Sequence, residues 1–139
     1  MHPKESQRAS RPARGRHRRE LGVLGEDLAV AHLERRGFSV IARNVRTRHG
    51  EIDVIAFDGE VLVFGEVKCL RAGRSGPPTD PLTGLRHRQR ARLRRLAVAW
   101  LSEAGAGRPR ARTIRFDAIG VTVDRRERLL RLEHLEAAW

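Results

Sequence analysis

The stretch Gly50–Lys68, GEIDVIAFDGEVLVFGEVK, constrains this chain more than any other. Two apolar-alternating runs flank Asp58-Gly59, a dipeptide favoured in tight turns between antiparallel strands. A two-residue turn there fixes the register, so that Ile55 faces Leu62, Asp53 faces Phe64 and Glu51 faces Glu66. Side chains alternate between the faces of a strand. One face therefore carries Ile55, Phe57, Leu62 and Phe64 near the turn, and Glu51, Asp53, Glu66 and Lys68 at the other end. The opposite face, Ile52, Val54, Ala56, Val61, Val63 and Val67, reads as core.

Three carboxylates beside one lysine on a half-apolar surface need a physical reason. Like charges placed opposite each other destabilise a sheet, and charges beside apolar surface lose hydration that must be replaced. A divalent cation among them removes both costs. Hard cations such as Mg2+ take oxygen ligands and keep several waters. A carboxylate cluster of that kind with a lysine nearby suits hydrolysis of a phosphate ester.

The rest of the chain fits such a partner. Its 139 residues are enough for one domain with a real core. They include 29 Lys+Arg against 17 Asp+Glu, a formal net charge of +12. Nearly all the basic groups are Arg, whose planar fork matches phosphate. That balance favours polyanions, nucleic acid first and an acidic membrane surface second. The hairpin lies in the one stretch where acids outnumber bases, residues 20–83, with ten acidic and eight basic groups. The single cysteine, Cys69, excludes an internal disulfide and a multi-cysteine zinc site. The six histidines lack paired ligand spacing and read as surface or turn residues. There is no GxxxxGKS phosphate loop, and aromatics at 4% with no Tyr argue against base stacking on a sheet face. No long apolar run suggests a membrane span or a secretory signal, so the expected location is cytoplasmic.

Residues 1–19 combine dense Arg with Pro, Gly and Ser and almost no large apolar groups, and read as a disordered basic arm. A salt-sensitive aid to polyanion binding and a plain solubilising tail explain it equally well. Residues 20–139 read as a single domain. Glu20–Arg36 has helical periodicity with Gly37 as its stop. Glu26 falls on the apolar stripe of Val23, Val30 and Leu33, beside Gly25, whose presence in a helix interior hints at close packing. Phe38–Asn44 reads as a strand and Val45–His49 as a basic link bearing Arg46 and Arg48. Leu70–Leu82 is loop. Thr83 can cap a helix running to about Glu103, with a stripe of Leu85, Leu93, Leu96, Ala97 and Trp100 that includes Gln89. Arg86, Arg88, Arg90, Arg92, Arg94 and Arg95 surround that stripe and lean toward contact with a phosphate backbone. Thr113–Val123 alternates as a strand, and Arg128–Leu135 fits either a strand or a short helix.

Several fragments in this order carry a family resemblance. They are Gly25-Glu26-Asp27-Leu28-Ala29, Leu33, Gly37-Phe38, Asn44, Arg46, Gly50-Glu51-Ile52-Asp53 and Val63-Phe64-Gly65-Glu66-Val67-Lys68. The Gln89 helix ending Ala99-Trp100-Leu101 and then Arg115-Phe116-Asp117 complete the set. Together they resemble the YraN family of small, largely uncharacterised bacterial proteins and, more broadly, the PD-(D/E)XK nuclease superfamily, including Holliday-junction resolvases. The resemblance covers most of residues 21–120. It implies an α/β fold with a restriction-endonuclease-like core, a mixed central β-sheet flanked by helices, in the order α-β-β-β-α-β(-β). It matches Asp53 and Glu66 to metal-binding acids, Lys68 to the catalytic lysine, Glu26 to a helix acid and Gln89 to a site-supporting glutamine. Glu51 joins the metal ligands from the hairpin register. Relatives carry Arg two residues after that lysine. Here Lys68 is followed by Cys69-Leu70-Arg71, which moves the arginine onto the other face.

The expected function is a nuclease dependent on Mg2+ or Mn2+, with water attacking phosphorus in line and the ion and Lys68 offsetting charge on the phosphate oxygens. Arg46, Arg48, Arg86, Arg88, Arg90 and Arg92 are the expected nucleic-acid contacts, with DNA ranked ahead of RNA. Resolvase-like relatives imply a homodimer. The alternative is a noncatalytic nucleic-acid-binding module on the same fold, and a third class is a basic adaptor for acidic protein or membrane surfaces.

Overall fold

Two apolar faces on one hairpin require two covers, and one helix supplies each. The computed structural model describes residues 4–73, 81–82 and 87–138, with side chains for 19–73, 81–82 and 91–138. Helix α1 (Lys4–Arg35) leads into strands β1 (Ser39–Thr47), β2 (Gly50–Phe57) and β3 (Val61–Arg71). Helix α2 (His87–Ala104) crosses over to β4 (Thr113–Val123), and β5 (Leu129–Leu135) ends the sheet. The strand order is β1-β2-β3-β4-β5. β3 and β4 run parallel, joined by the α2 crossover, and the other neighbours are antiparallel. This is the α/β order expected from the sequence, with the 128–135 ambiguity resolved as a strand.

On one side Ala29 and Leu33 of α1 bury against Val54, Ala56, Val63, Ile119, Val121 and Val123. On the other, Leu93, Leu96 and Ala97 of α2 bury against Ile52, Ile55, Leu62 and Phe64. Each large apolar side chain so covered contributes roughly 1.5–3 kcal/mol relative to exposure. The faces fall as the alternation requires, with Ile52 as the exception. It packs on the α2 side, whereas strict alternation puts it with Val54. The cause is next to it. In the β1–β2 ladder, the register runs on from Arg43↔Val54 to Val45↔Ile52, and Asn44, which stands between them opposite Asp53, has φ +50. A left-handed residue turns the strand locally, so the alternation slips at the level of Asp53.

The hairpin register also differs from the expected one. Ile55 pairs with Phe64 and Phe57 with Leu62, a shift of two residues on β3. The turn centres on Gly59-Glu60 because Asp58 serves as an acceptor. Its Oδ1 takes the amides of Glu60 (2.9 Å) and Val61 (2.7 Å), with Gly59 at φ +102. A shift of two keeps the paired residues 54–57 and 62–65 on their faces, while Glu51, Asp53, Glu66 and Lys68 lie beyond the last β2–β3 pair.

Helix α1 ends as the sequence indicates. Gly37 adopts φ +91, Phe38 N–H reaches Leu33 O and Gly37 N–H reaches Glu34 O, both at 3.0 Å. Its start differs. The sequence reading begins the helix at Glu20 and leaves 1–19 disordered, whereas α1 begins at Lys4. Arg, Lys, Gln, Glu and Ala are good helix formers, and an already folded turn downstream removes the cost of nucleation. β1 likewise extends past Asn44 through the expected link, with Arg46↔Glu51 and Thr47↔Gly50 paired. Thr83, Leu85 and Arg86, and the side chains of Arg88, Gln89 and Arg90, lie outside the described residues.

Two contacts tie α1 to the sheet. A Cβ built on Gly25 lies 2.5 Å from Cβ of Cys69, so the helix sits on β3 at a distance only glycine allows. At the other end, the fully buried Asp117 accepts from Arg115 Nε (2.8 Å) and Nη2 (2.9 Å) and from the Ala137 amide (3.0 Å). His134 Nε2 lies 2.7 Å from Asp117, and its other ring nitrogen meets His32 of α1 at 3.0 Å. Burial pushes the Asp117 carboxyl up, but these donors outweigh it and hold it below the usual carboxylate range. His32 and His134 are thus neither turn nor free surface residues. Among the described residues no helix is long and apolar enough to cross a membrane.

Two glycines of α1 give opposite expectations. Nothing lies within 4 Å of a Cβ at Gly22, so Gly22→Ala should stabilise the protein by up to ~1 kcal/mol through helix propensity. Gly25→Ala should destabilise it by about 1–3 kcal/mol through overpacking on Cys69. Urea unfolding midpoints of the two variants check the signs.

Candidate metal centre

The site begins where two strands part. Pairing between β2 and β3 stops at Val54↔Gly65, although β2 extends back to Gly50 and β3 on to Arg71. Past that point β2 stays with β1, and β3 stays with β4 through Lys68↔Gly120 and beyond. Gly65 marks the fork, because Val54 Cγ1 lies 2.7 Å from where its Cβ would be. Parting leaves amides without ladder partners, and buried amides need acceptors. The Val67 N–H donates to Asp53 Oδ2 at 2.8 Å instead. A side chain thereby takes the place of a strand carbonyl, and Asp53 is fixed in the gap.

Glu51 and Glu26 join it there. Each of Glu26, Glu51 and Asp53 offers a carboxylate oxygen, all within 4.8 Å of one another. Glu51 and Asp53 come from β2 and Glu26 from α1, one residue past the Gly25 contact. Arg43 touches Glu26 only at 3.8 Å and spends its closer contact, 2.7 Å, on Asp27. Glu66 holds Lys68, with Oε1 3.1 Å from Nζ. One open cavity of about 260 Å³ is lined by Glu51, Asp53, Glu66, Lys68 and Arg92, with Leu93 and Leu96 of α2 as its apolar wall. Among the described residues no cation stands within ion-pair distance of Glu51 or Asp53.

The electrostatic consequence falls on Asp53. Burial pushes its pKa from 3.8 to about 6; the Glu26 and Glu66 carboxylates add to the rise, while the Val67 amide and Lys68 oppose it. A carboxyl that resists ionisation among other carboxylates is one that a bound cation relieves. The donor set is all oxygen, with Cys69 outside it, and suits a hard divalent ion such as Mg2+ or Mn2+ over zinc. The residues therefore fit the metal expected from the sequence.

The structure brings Asp53, Glu51, Glu66, Lys68 and Glu26 together, with Arg92 alongside. Within that group the three closest oxygens belong to Glu26, Glu51 and Asp53, while Glu66 is engaged with Lys68. Arg46 is exposed on β1 and lines neither the carboxylate cavity nor the cleft at Arg48. Arg48 lines a separate cleft with Arg94 and Arg95. Arg71, the displaced arginine, pairs with Glu127 at 3.1 Å, away from the carboxylates. Arg density along α2 signals a basic face, but nothing in the sequence indicates that Arg94 and Arg95 face the β1–β2 turn.

The sequence pattern of the uncharacterised protein family UPF0102 matches residues 25–121. Similar proteins include a UPF0102 protein of Renibacterium salmoninarum, 47% identical over 116 residues, covering 84% of this chain and 92% of that one. Another, from Geobacter sulfurreducens, is 44% identical over 107 residues, covering 77% and 79%. A third, from Pelotomaculum thermopropionicum, is 40% identical over 122 residues, covering 88% and 97%.

The Asp53 shift has a sign that can be measured. The folded chain holds this proton to about pH 6, whereas the unfolded chain releases it near 3.8. The fold therefore loses stability as pH rises through that window. Asp53→Asn removes the penalty. It should stabilise the metal-free protein at pH 7 by about 2 kcal/mol, after allowance for solvent screening, and have no such effect below pH ~3.5. Urea unfolding at the two pH values in a chelating buffer checks this.

Proposed function

This chain belongs to the uncharacterised protein family UPF0102, the YraN family of the resemblance above, and on that footing we propose that it is a metal-dependent nuclease that hydrolyses phosphodiester bonds in nucleic acid. The observation that carries the proposal is the fork between β2 and β3. It gathers Glu26, Glu51 and Asp53 within 4.8 Å, and the Glu66–Lys68 pair lines one cavity with Glu51 and Asp53.

Glu26, Glu51 and Asp53 are the residues that would hold a divalent ion, which when bound would supply Lewis acidity toward a phosphoryl oxygen and water. The chain's own groups do the rest. The Val67 amide holds Asp53 in place, so the ligand set is preorganised. Lys68 is positioned by Glu66, and its remaining N–H donors orient a water or offset charge growing on the phosphate oxygens. Arg92 adds a second cation at the rim for the same phosphate. Leu93 and Leu96 keep one wall dry, which strengthens these interactions. The metal-free chain holds the Asp53 proton to about pH 6, so protons compete with the ion there and hydrolysis should weaken in acid. The net charge of +12 supports a polyanionic substrate.

The test is cleavage of labelled duplex, single-stranded and branched DNA, with an RNA duplex alongside, in Mg2+ or Mn2+. Wild type should cleave at least one substrate, and Asp53→Ala and Lys68→Ala should each lower the rate by roughly 100-fold or more. If wild type leaves every substrate intact in both metals while binding it as well as both variants do, the chain binds nucleic acid without hydrolysing it.

A further inference from the structure

Next to the carboxylate cavity lies a second cleft of about 450 Å³, between the β1–β2 turn and α2. Arg48, His49, Arg94 and Arg95 give it a basic lining and Val98 and Ala99 an apolar one, while Ser102 and a single carboxylate, Glu103, complete it. Val98 is 64% exposed, an unusual state for an apolar side chain set among arginines. The turn that presents Arg48 is held firmly. Thr47 Oγ1 donates to Gly50 O at 3.1 Å and accepts the His49 N–H at 3.1 Å. None of the ion pairs among the described residues includes Arg48, Arg92, Arg94 or Arg95, whereas Arg36, Arg43, Arg71 and Arg115 are all paired.

The two hollows are joined by Arg92. It lines the carboxylate cavity, and its Nη2 lies 2.6 Å from where a Cβ of Gly50 would stand. Gly50, at φ +136, directly follows His49 of the cleft. Along α2, Arg92 to Val98 spans ~9 Å at 1.5 Å per residue. The charge spacing of about 3.4 Å in a duplex strand is measured along the helix axis, and phosphates along an unwound single strand stand about twice as far apart, so that span covers one to two phosphates.

We propose that this cleft seats the strand that flanks the scissile phosphate. Arg48, Arg94 and Arg95 take phosphates one to two positions away, and the apolar surface at Val98 takes a sugar or base edge. The proposal rests on the nuclease reading for where the scissile phosphate lies, but its binding test is independent of hydrolysis. A concave cleft with an apolar surface at Val98 and continuity through Arg92 fits a single strand better than a flat lipid surface.

The test is fluorescence anisotropy with a labelled single-stranded DNA of about twelve nucleotides, in EDTA, over a salt series. Compared with wild type, the double variant Arg94→Ala/Arg95→Ala should bind at least tenfold more weakly at low salt. Its slope of log K against log salt should fall by about 1.4, the value for two phosphate contacts on a single strand. Val98→Asp, on an exposed position, should weaken binding without altering the unfolding midpoint. Arg112→Ala, an exposed arginine outside the cleft, should bind as wild type does. Unchanged affinity and slope in the double variant overturns the proposal. So does loss of binding to phosphatidylserine vesicles or polyglutamate in that variant while DNA binding persists. Absence of cleavage with this binding pattern intact would contradict the nuclease reading and leave the cleft assignment standing.

Discussion

The hydrogen bond from the Val67 amide to Asp53 Oδ2 is the interaction on which the site depends. Two strands that leave a common ladder expose amides and carbonyls, and a buried amide without an acceptor costs about 1–3 kcal/mol. Asp53 supplies the acceptor, so the fork between β2 and β3 is stable while the strands run apart. The same bond brings a carboxylate into a half-buried gap beside two others. Local backbone satisfaction and a raised Asp53 pKa are thus one arrangement seen from two sides. A cation resolves the electrostatic half of it without disturbing the backbone half.

Everything around the fork serves to hold it at that geometry. α1 reaches Glu26 into the cluster because Gly25 lets the helix sit against Cys69. The far end of α1 is tied to β4 and β5 through His32, His134 and Asp117, a network whose acceptor is fully buried and has each of its contacts filled. α2 closes the other face with Leu93, Leu96 and Ala97 and carries Arg92 to the rim. Fixed supports of this kind matter for a ligand set because an ångström of slack weakens every contact to the ion.

Much of this was legible in the sequence, for identifiable reasons. Period-two alternation in β2, β3 and β4 gave the strands and their faces, and Gly37 gave the end of α1. The faces of the paired residues survived an incorrect register because a two-residue shift keeps each side chain on its face, whereas the acids meet past the last pair, where the Val67 amide holds Asp53. Other features had no local signal. The turn at Gly59-Glu60 depends on which amides the Asp58 side chain captures. The slip at Ile52 depends on the left-handed Asn44, a residue of the neighbouring strand. The histidine–aspartate network joins residues a hundred positions apart, and the Arg48–Arg94–Arg95 cleft joins a turn to a helix. Spacing along the chain cannot encode such pairs.

The claim that the forked strands form a cation site is tested most directly by calorimetric titration of Mn2+ into the metal-free protein. Titrations at pH 6 in two buffers of different ionisation enthalpy separate binding heat from proton release. The account predicts saturable binding that releases a substantial fraction of a proton at pH 6 and almost none at pH 8, because the ion displaces the proton Asp53 retains. Absence of binding, or an equal proton release at both pH values, would contradict it.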